Sequence, residues 1–141
     1  MFKVEGNSLA QLNELSKGNM LEYLGIEFTE FTAAYLKGTM PVDHRTKQPF
    51  GLLHGGASVV LAETLGSVAA NFALKDPANE MAVGVEINAN HLKSARGGLV
   101  TGICTPIRIG STMHVYEIRI QNDQEELICV SRITVAIVRR K

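Results

Sequence analysis

Between Gln48 and Leu74 the chain carries a single formal charge, Glu63. Its neighbours at helical spacings of three and four are Val59, Val60, Gly66 and Ser67, none of them cationic. The segment around it, HGGASVVLAETLGSVAANFAL over 54–74, is rich in Gly, Ala, Val and Leu. It reads as a helix of about six turns whose every face is apolar enough to be buried. A carboxylate in such surroundings is costly unless it is paired. Carboxylates set apart in this way also recur as general bases and nucleophiles. Two readings of Glu63 therefore stand: it reaches solvent or a cation on another element, or it does chemistry.

At the start of the same helix, His54-Gly55-Gly56 offers backbone N–H groups with no bulky side chain in the way. A helix N-terminus carries about half a positive charge and suits an anion or a developing oxyanion. The plainer reading is that the glycines only permit a tight entry turn. Gly55 and Glu63 lie eight residues apart, which is about 12 Å along a helix axis. One glutamate side chain cannot span that distance to a carbonyl held at the Gly55 amide. If both groups act on one substrate, they must come from two antiparallel helices, and one long helix per chain then implies a homodimer with paired sites. Ser58 and Ser67 lack a Gly-x-Ser-x-Gly elbow, so a serine hydrolase is not expected.

These groups need a scaffold, and composition bounds it. A chain of 141 residues buries about two-thirds of its extended surface, enough for one core. One domain over 1–141 is expected. The hydrophobic share of 45%, with 20% charged residues, marks a folding chain rather than a disordered one. Fourteen basic and fourteen acidic residues cancel, which argues against a general nucleic-acid coat. Cys104 and Cys129 are too few for a disulfide framework, and with the histidines they show no metal-ligand spacing, so no metal is expected. The apolar run 55–74 has bilayer length, but its central Glu63 and its small residues fit packing under a sheet better than lipid. No secretory signal is read at the N-terminus, and a cytoplasmic location follows as the expectation.

Along the chain, Asn7 and Ser8 precede a short amphipathic helix ending near Gly18. Strand-like runs follow at 24–31 and 34–42, then a polar connection from Asp43 to Gly51. After the long helix, strands are expected near 81–94, 99–109, 113–121 and 127–138, with NDQEE as a hairpin connection. With no helices between the later strands, the pattern predicts an α+β fold, a mostly antiparallel sheet packed on one long helix.

With these segments in view, TKQPFGLLHGGASVVLAE, EINANHLKSAR and the final SRITVAIV resemble the hotdog-fold acyl-coenzyme A thioesterases. The likeness is to the branch related to 4-hydroxybenzoyl-CoA and phenylacetate-pathway thioesterases, and it runs nearly end to end. It implies an antiparallel sheet wrapped around the long helix, dimers joined edge to edge, and pairing of dimers into tetramers. The implied activity is hydrolysis of an aromatic acyl-CoA, foremost 1,4-dihydroxy-2-naphthoyl-CoA of menaquinone synthesis. Release of misloaded acyl groups from an aryl carrier protein, or acyl-CoA binding without catalysis, are the alternatives. By position, Glu63 would be the catalytic carboxylate and the partner chain's Gly55 amide would polarise the thioester carbonyl. Gln48 and His54 would orient the thioester, and Ser67 would help place the carboxylate or water. No cofactor is implied, since a thioester is already activated. Coenzyme A binding would fall to Gly84, to His91, Leu92, Lys93, Ser94 and Arg96, and to Arg108, Gly110, Ser111 and Thr112.

Overall fold

The computed structural model describes residues 2–141. It opens with α1 (Leu9–Glu14), started by a capping box in which Ser8 Oγ accepts from the Gln11 amide and Gln11 Oε1 from the Ser8 amide. A second short helix, α2 (Met20–Leu24), occupies the residues just before and into the expected first strand. Its Asn19 cap accepts from the Leu21 amide at 3.0 Å, and Gly25 ends it in the left-handed conformation. The 24–31 run is thus corrected: Leu24 closes a helix, and β1 spans only Glu27–Phe31.

The remaining elements are β2 (Leu36–Pro41), α3 (Gly55–Phe72), β3 (Glu80–His91), β4 (Leu99–Ile109), β5 (Met113–Gln121) and β6 (Leu127–Arg139). All six strands form one antiparallel sheet in the order β1-β2-β4-β5-β6-β3. The α+β architecture expected from the sequence is therefore the one observed. The strand expected at 81–94 stops at His91, so Lys93 and Ser94 lie in the loop that follows.

Helix α3 packs against β2, β3, β4, β5 and β6. Leu61, Leu65, Ala62 and Ala69 are fully buried along it, facing a sheet side that includes Ile118, Ile133 and Val135. Emptying such a site, as in Leu65→Ala, costs about 2–5 kcal/mol. Among the described residues no helix is long and apolar enough to cross a membrane.

Two strands form the sheet edges: β1, five residues long, and β3, twelve. Among the described residues no strand lies beside the outer edge of β3, and Met81, Val83 and Val85 are 40%, 38% and 59% exposed. A long edge with apolar side chains on its open face is a template for pairing.

Candidate active site at the seam of α3 and β3

Helix α3 runs antiparallel to β3, and two glycines show how closely they approach. A Cβ at Gly55 would lie 2.8 Å from His91 Nε2, and one at Gly84 would lie 2.7 Å from Glu63 Oε1. The N-terminus of α3 therefore meets the end of β3, and Glu63 meets its middle. Seven residues separate Gly84 from His91, so a regular strand would send them to opposite faces. A bulge resolves this. Gly84 pairs with Val135 and Glu86 with Thr134, leaving Val85 unpaired. Ala82 and Gly84 face the helix before it, and Ile87, Ala89 and His91 face it after.

Glu63 is half-buried, not sealed in the core as its neighbours suggest. Ser67, one helical turn on, donates its hydroxyl to Glu63 Oε1 at 3.0 Å. No cation pairs with Glu63 among the described residues, so the reading in which another element supplies one is not what the fold provides. The carboxylate is held by one hydroxyl, and its other oxygen has no hydrogen-bond partner among the described residues.

At the other end, His54 is the N-cap of α3. Its Nδ1 accepts from the Gly56 amide at 2.8 Å, and its carbonyl accepts from the Ala57 and Ser58 amides. An acceptor Nδ1 fixes the tautomer with hydrogen on Nε2. Of the first-turn amides, Gly55 alone has no hydrogen-bond partner among the described residues. It opens on a cleft of about 350 Å³. Gln48, His91 and Ser94 give this cleft polar groups, while Leu53, Ala95 and Ile128 give it an apolar floor. Gln48 is itself placed by the turn before α3: its Oε1 accepts from the Phe50 amide and its own amide donates to Leu52. A bidentate Asp43–Arg45 pair anchors the same connection and holds the Asp43 carboxyl at about 2, well below its usual range.

The expected coenzyme A residues divide into two groups. His91, Leu92, Lys93 and Ser94 line the Gly55 cleft, with exposed Arg96 just beyond. Lys93 is not a free charge, since its ammonium pairs with Glu126, which Asn122 also holds. Arg108, Gly110, Ser111 and Thr112 lie elsewhere, at the β4–β5 hairpin. The Thr112 carbonyl accepts from Ile137, whereas His91 pairs with Cys129. Eight residues of β6 separate those positions, about 27 Å of strand. Within one chain the two groups do not meet. The Gly110 amide donates to the Met113 carbonyl at 2.9 Å and closes the turn, so it is not free for a phosphate oxygen. Gly84, expected among the coenzyme residues, instead leaves room for the Glu63 carboxylate.

Sequence reasoning considered Ser58 only as a nucleophile. The structure puts it in the Gly55 cleft, 2% exposed. Its spacing of three from Gly55, a shared helix face, was the available signal.

An antiparallel sheet laid on one long helix, with a lone carboxylate and an open amide along that helix, defines a hotdog-fold thioesterase. The family model that matches, over residues 50–129, is the thioesterase superfamily, and the chain belongs to it. More particularly, the chain is 50% identical to the 1,4-dihydroxy-2-naphthoyl-CoA hydrolase of Escherichia coli over 93% of its length and 95% of that protein's. It is 45% identical to the proofreading thioesterase EntH of Cronobacter turicensis, over 93% and 94%. Among solved structures, a Haemophilus influenzae thioesterase superposes with a TM-score of 0.93 at 44% identity, covering 99% of this chain and 96% of that one.

Proposed function

We propose that the chain, as one domain over 1–141, is a cytoplasmic thioesterase that hydrolyses an aromatic acyl-CoA. Its substrate in this reading is 1,4-dihydroxy-2-naphthoyl-CoA, released as free acid and coenzyme A in menaquinone synthesis. The observation that carries the reading is the division of labour along α3, with an open amide at Gly55 and a Ser67-held carboxylate at Glu63. The two groups are about 12 Å apart along the axis, so one chain holds half of each site.

A second copy completes it. If the open edge of β3 pairs antiparallel with its own symmetry copy, the Gly84 stretch of one chain lies beside the partner subunit's His91. Glu63 then approaches the partner subunit's Gly55. The thioester carbonyl accepts from that amide, and negative charge developing on its oxygen is stabilised by the helix N-terminus. Glu63 either attacks the carbonyl carbon or takes a proton from the attacking water, and Ser67 holds its orientation. Gln48 and His54 orient the thioester. The same pairing carries the partner subunit's Arg108, Gly110, Ser111 and Thr112 toward the His91–Arg96 end, where coenzyme A phosphates meet Arg96 and the hairpin hydroxyls. Pairs of dimers then form the tetramer.

The 45% identity to a proofreading thioesterase supports a second reading, hydrolysis of misloaded acyl groups on an aryl carrier protein. Thiol-release assays on a panel of aryl-CoA thioesters and on acylated carrier protein separate the two by kcat/KM. The proposal requires the naphthoyl-CoA to rank first. Turnover of no thioester in the panel leaves only an acyl-CoA-binding domain.

A further inference from the structure

Ser58 is 2% exposed, yet it borders the cleft at Gly55. Its hydroxyl makes no hydrogen bond to protein among the described residues, unlike Thr64 on the same helix, which bonds back to the Val60 carbonyl at 2.7 Å. A hydroxyl that faces a cleft from a buried residue is satisfied by water or by a ligand. A ligand group that displaces that water without replacing its hydrogen bond loses affinity.

Position says which part of the substrate arrives there. In the reading above, the carbonyl sits at the Gly55 amide and the charged nucleotide stays toward exposed Arg96. Ser58 lies one helical turn inward from Gly55, about 4.5 Å along the axis. Beside it the floor is apolar, made by Leu53, Ala95 and Ile128. With the nucleotide held toward Arg96, the acyl group is the part of the substrate that this reading places beside Ser58. Apolar walls and one hydroxyl fit a flat aromatic ring bearing a hydrogen-bonding substituent.

The geometry points to Ser58 as a specificity-determining residue that hydrogen-bonds a ring hydroxyl of the acyl group and selects hydroxylated aryl thioesters over unsubstituted ones. This rests on the thioesterase reading. Bare rings strip the Ser58 hydroxyl of water and return nothing, and that asymmetry makes the selection.

The test compares 1,4-dihydroxy-2-naphthoyl-CoA with 2-naphthoyl-CoA in the wild type, Ser58→Ala and Ser58→Cys. Intrinsic reactivity cancels in the change of the kcat/KM ratio between variants. The wild type is expected to favour the hydroxylated ester by about tenfold or more. Ser58→Ala should bring the ratio to within about threefold, chiefly by losing rate on the hydroxylated ester, with Ser58→Cys between. Should Ser58→Ala fail to fold, Ser58→Cys keeps the volume and carries the test. An unchanged ratio, with both esters still hydrolysed, overturns the role of Ser58 and leaves the thioesterase reading intact. Hydrolysis of neither ester by the wild type overturns both.

Discussion

The two ends of the α3–β3 seam are built for opposite tasks. At the Gly55 end the helix presents an unpartnered amide to an open cleft, and His91 lies against the backbone where a side chain would otherwise stand. At the Glu63 end the space is narrow, the carboxylate rests against Gly84, and Ser67 bonds one of its oxygens. One end donates and is roomy. The other accepts and is tight. In the proposed mechanism a thioester needs both, and their separation along a single helix is why that mechanism draws in the open edge of β3.

Breaking the acceptor end should cost most. Glu63→Gln removes the charge and keeps the volume, and kcat is expected to fall about 10³-fold with the thermal midpoint nearly unchanged. At the donor end, Gly55→Pro deletes the amide hydrogen at a first helical position that tolerates proline and also pushes a ring against His91, whose Nε2 lies 2.8 Å from the Cβ position; kcat should fall about 10²–10³-fold. Gly84→Ala places a methyl 2.7 Å from Glu63 Oε1. Displacing the carboxylate by about 1 Å should cost on the order of 10²-fold in kcat without weakening substrate binding comparably. Ser67→Ala frees the carboxylate rather than moving it, and about a tenfold loss is expected. Kinetics on each purified variant check the series.

A last effect lies away from the seam and serves as its control. His114 on β5 is buried, with Nδ1 3.0 Å from the Tyr116 hydroxyl, and burial lowers its pKa. The folded state therefore keeps His114 neutral while the unfolded chain takes up a proton near the ordinary value of about 6.5. Stability is full above that value and is lost as pH falls below it. His114→Gln should flatten the fall of the thermal midpoint between about pH 7 and 5 and leave kcat at pH 7.5 unchanged.

Much of this arrangement is legible in the sequence alone. The lone charge of Glu63 in an apolar helix, the glycines at its start and the helix-free stretch after residue 80 gave the long helix, the antiparallel sheet and both ends of the seam. Three things were not readable, each for a physical reason. Helix α2 was hidden because Leu24 and Ile26 extend the alternation of the following strand backwards, although Asn19 and Gly25 frame the helix. The bulge at Val85 was hidden because Met81, Ala82, Val83, Gly84 and Val85 are all small or apolar, so no alternation marks where the face changes. The partners of Lys93 and of the Gly110 amide depend on tertiary contact and turn closure, which residue type alone does not reveal.

The central claim is that each site takes its carboxylate from one chain and its amide from the other. Co-expression of Glu63→Ala with Gly55→Pro, each carrying a different tag, allows the mixed dimer to be purified and assayed. One site of that dimer keeps an intact Glu63 opposite an intact Gly55, and the other has neither. The account predicts that two nearly inactive chains together recover about half of the wild-type rate per dimer. A mixed dimer as inactive as its parents would show that each chain works alone, and would contradict the account.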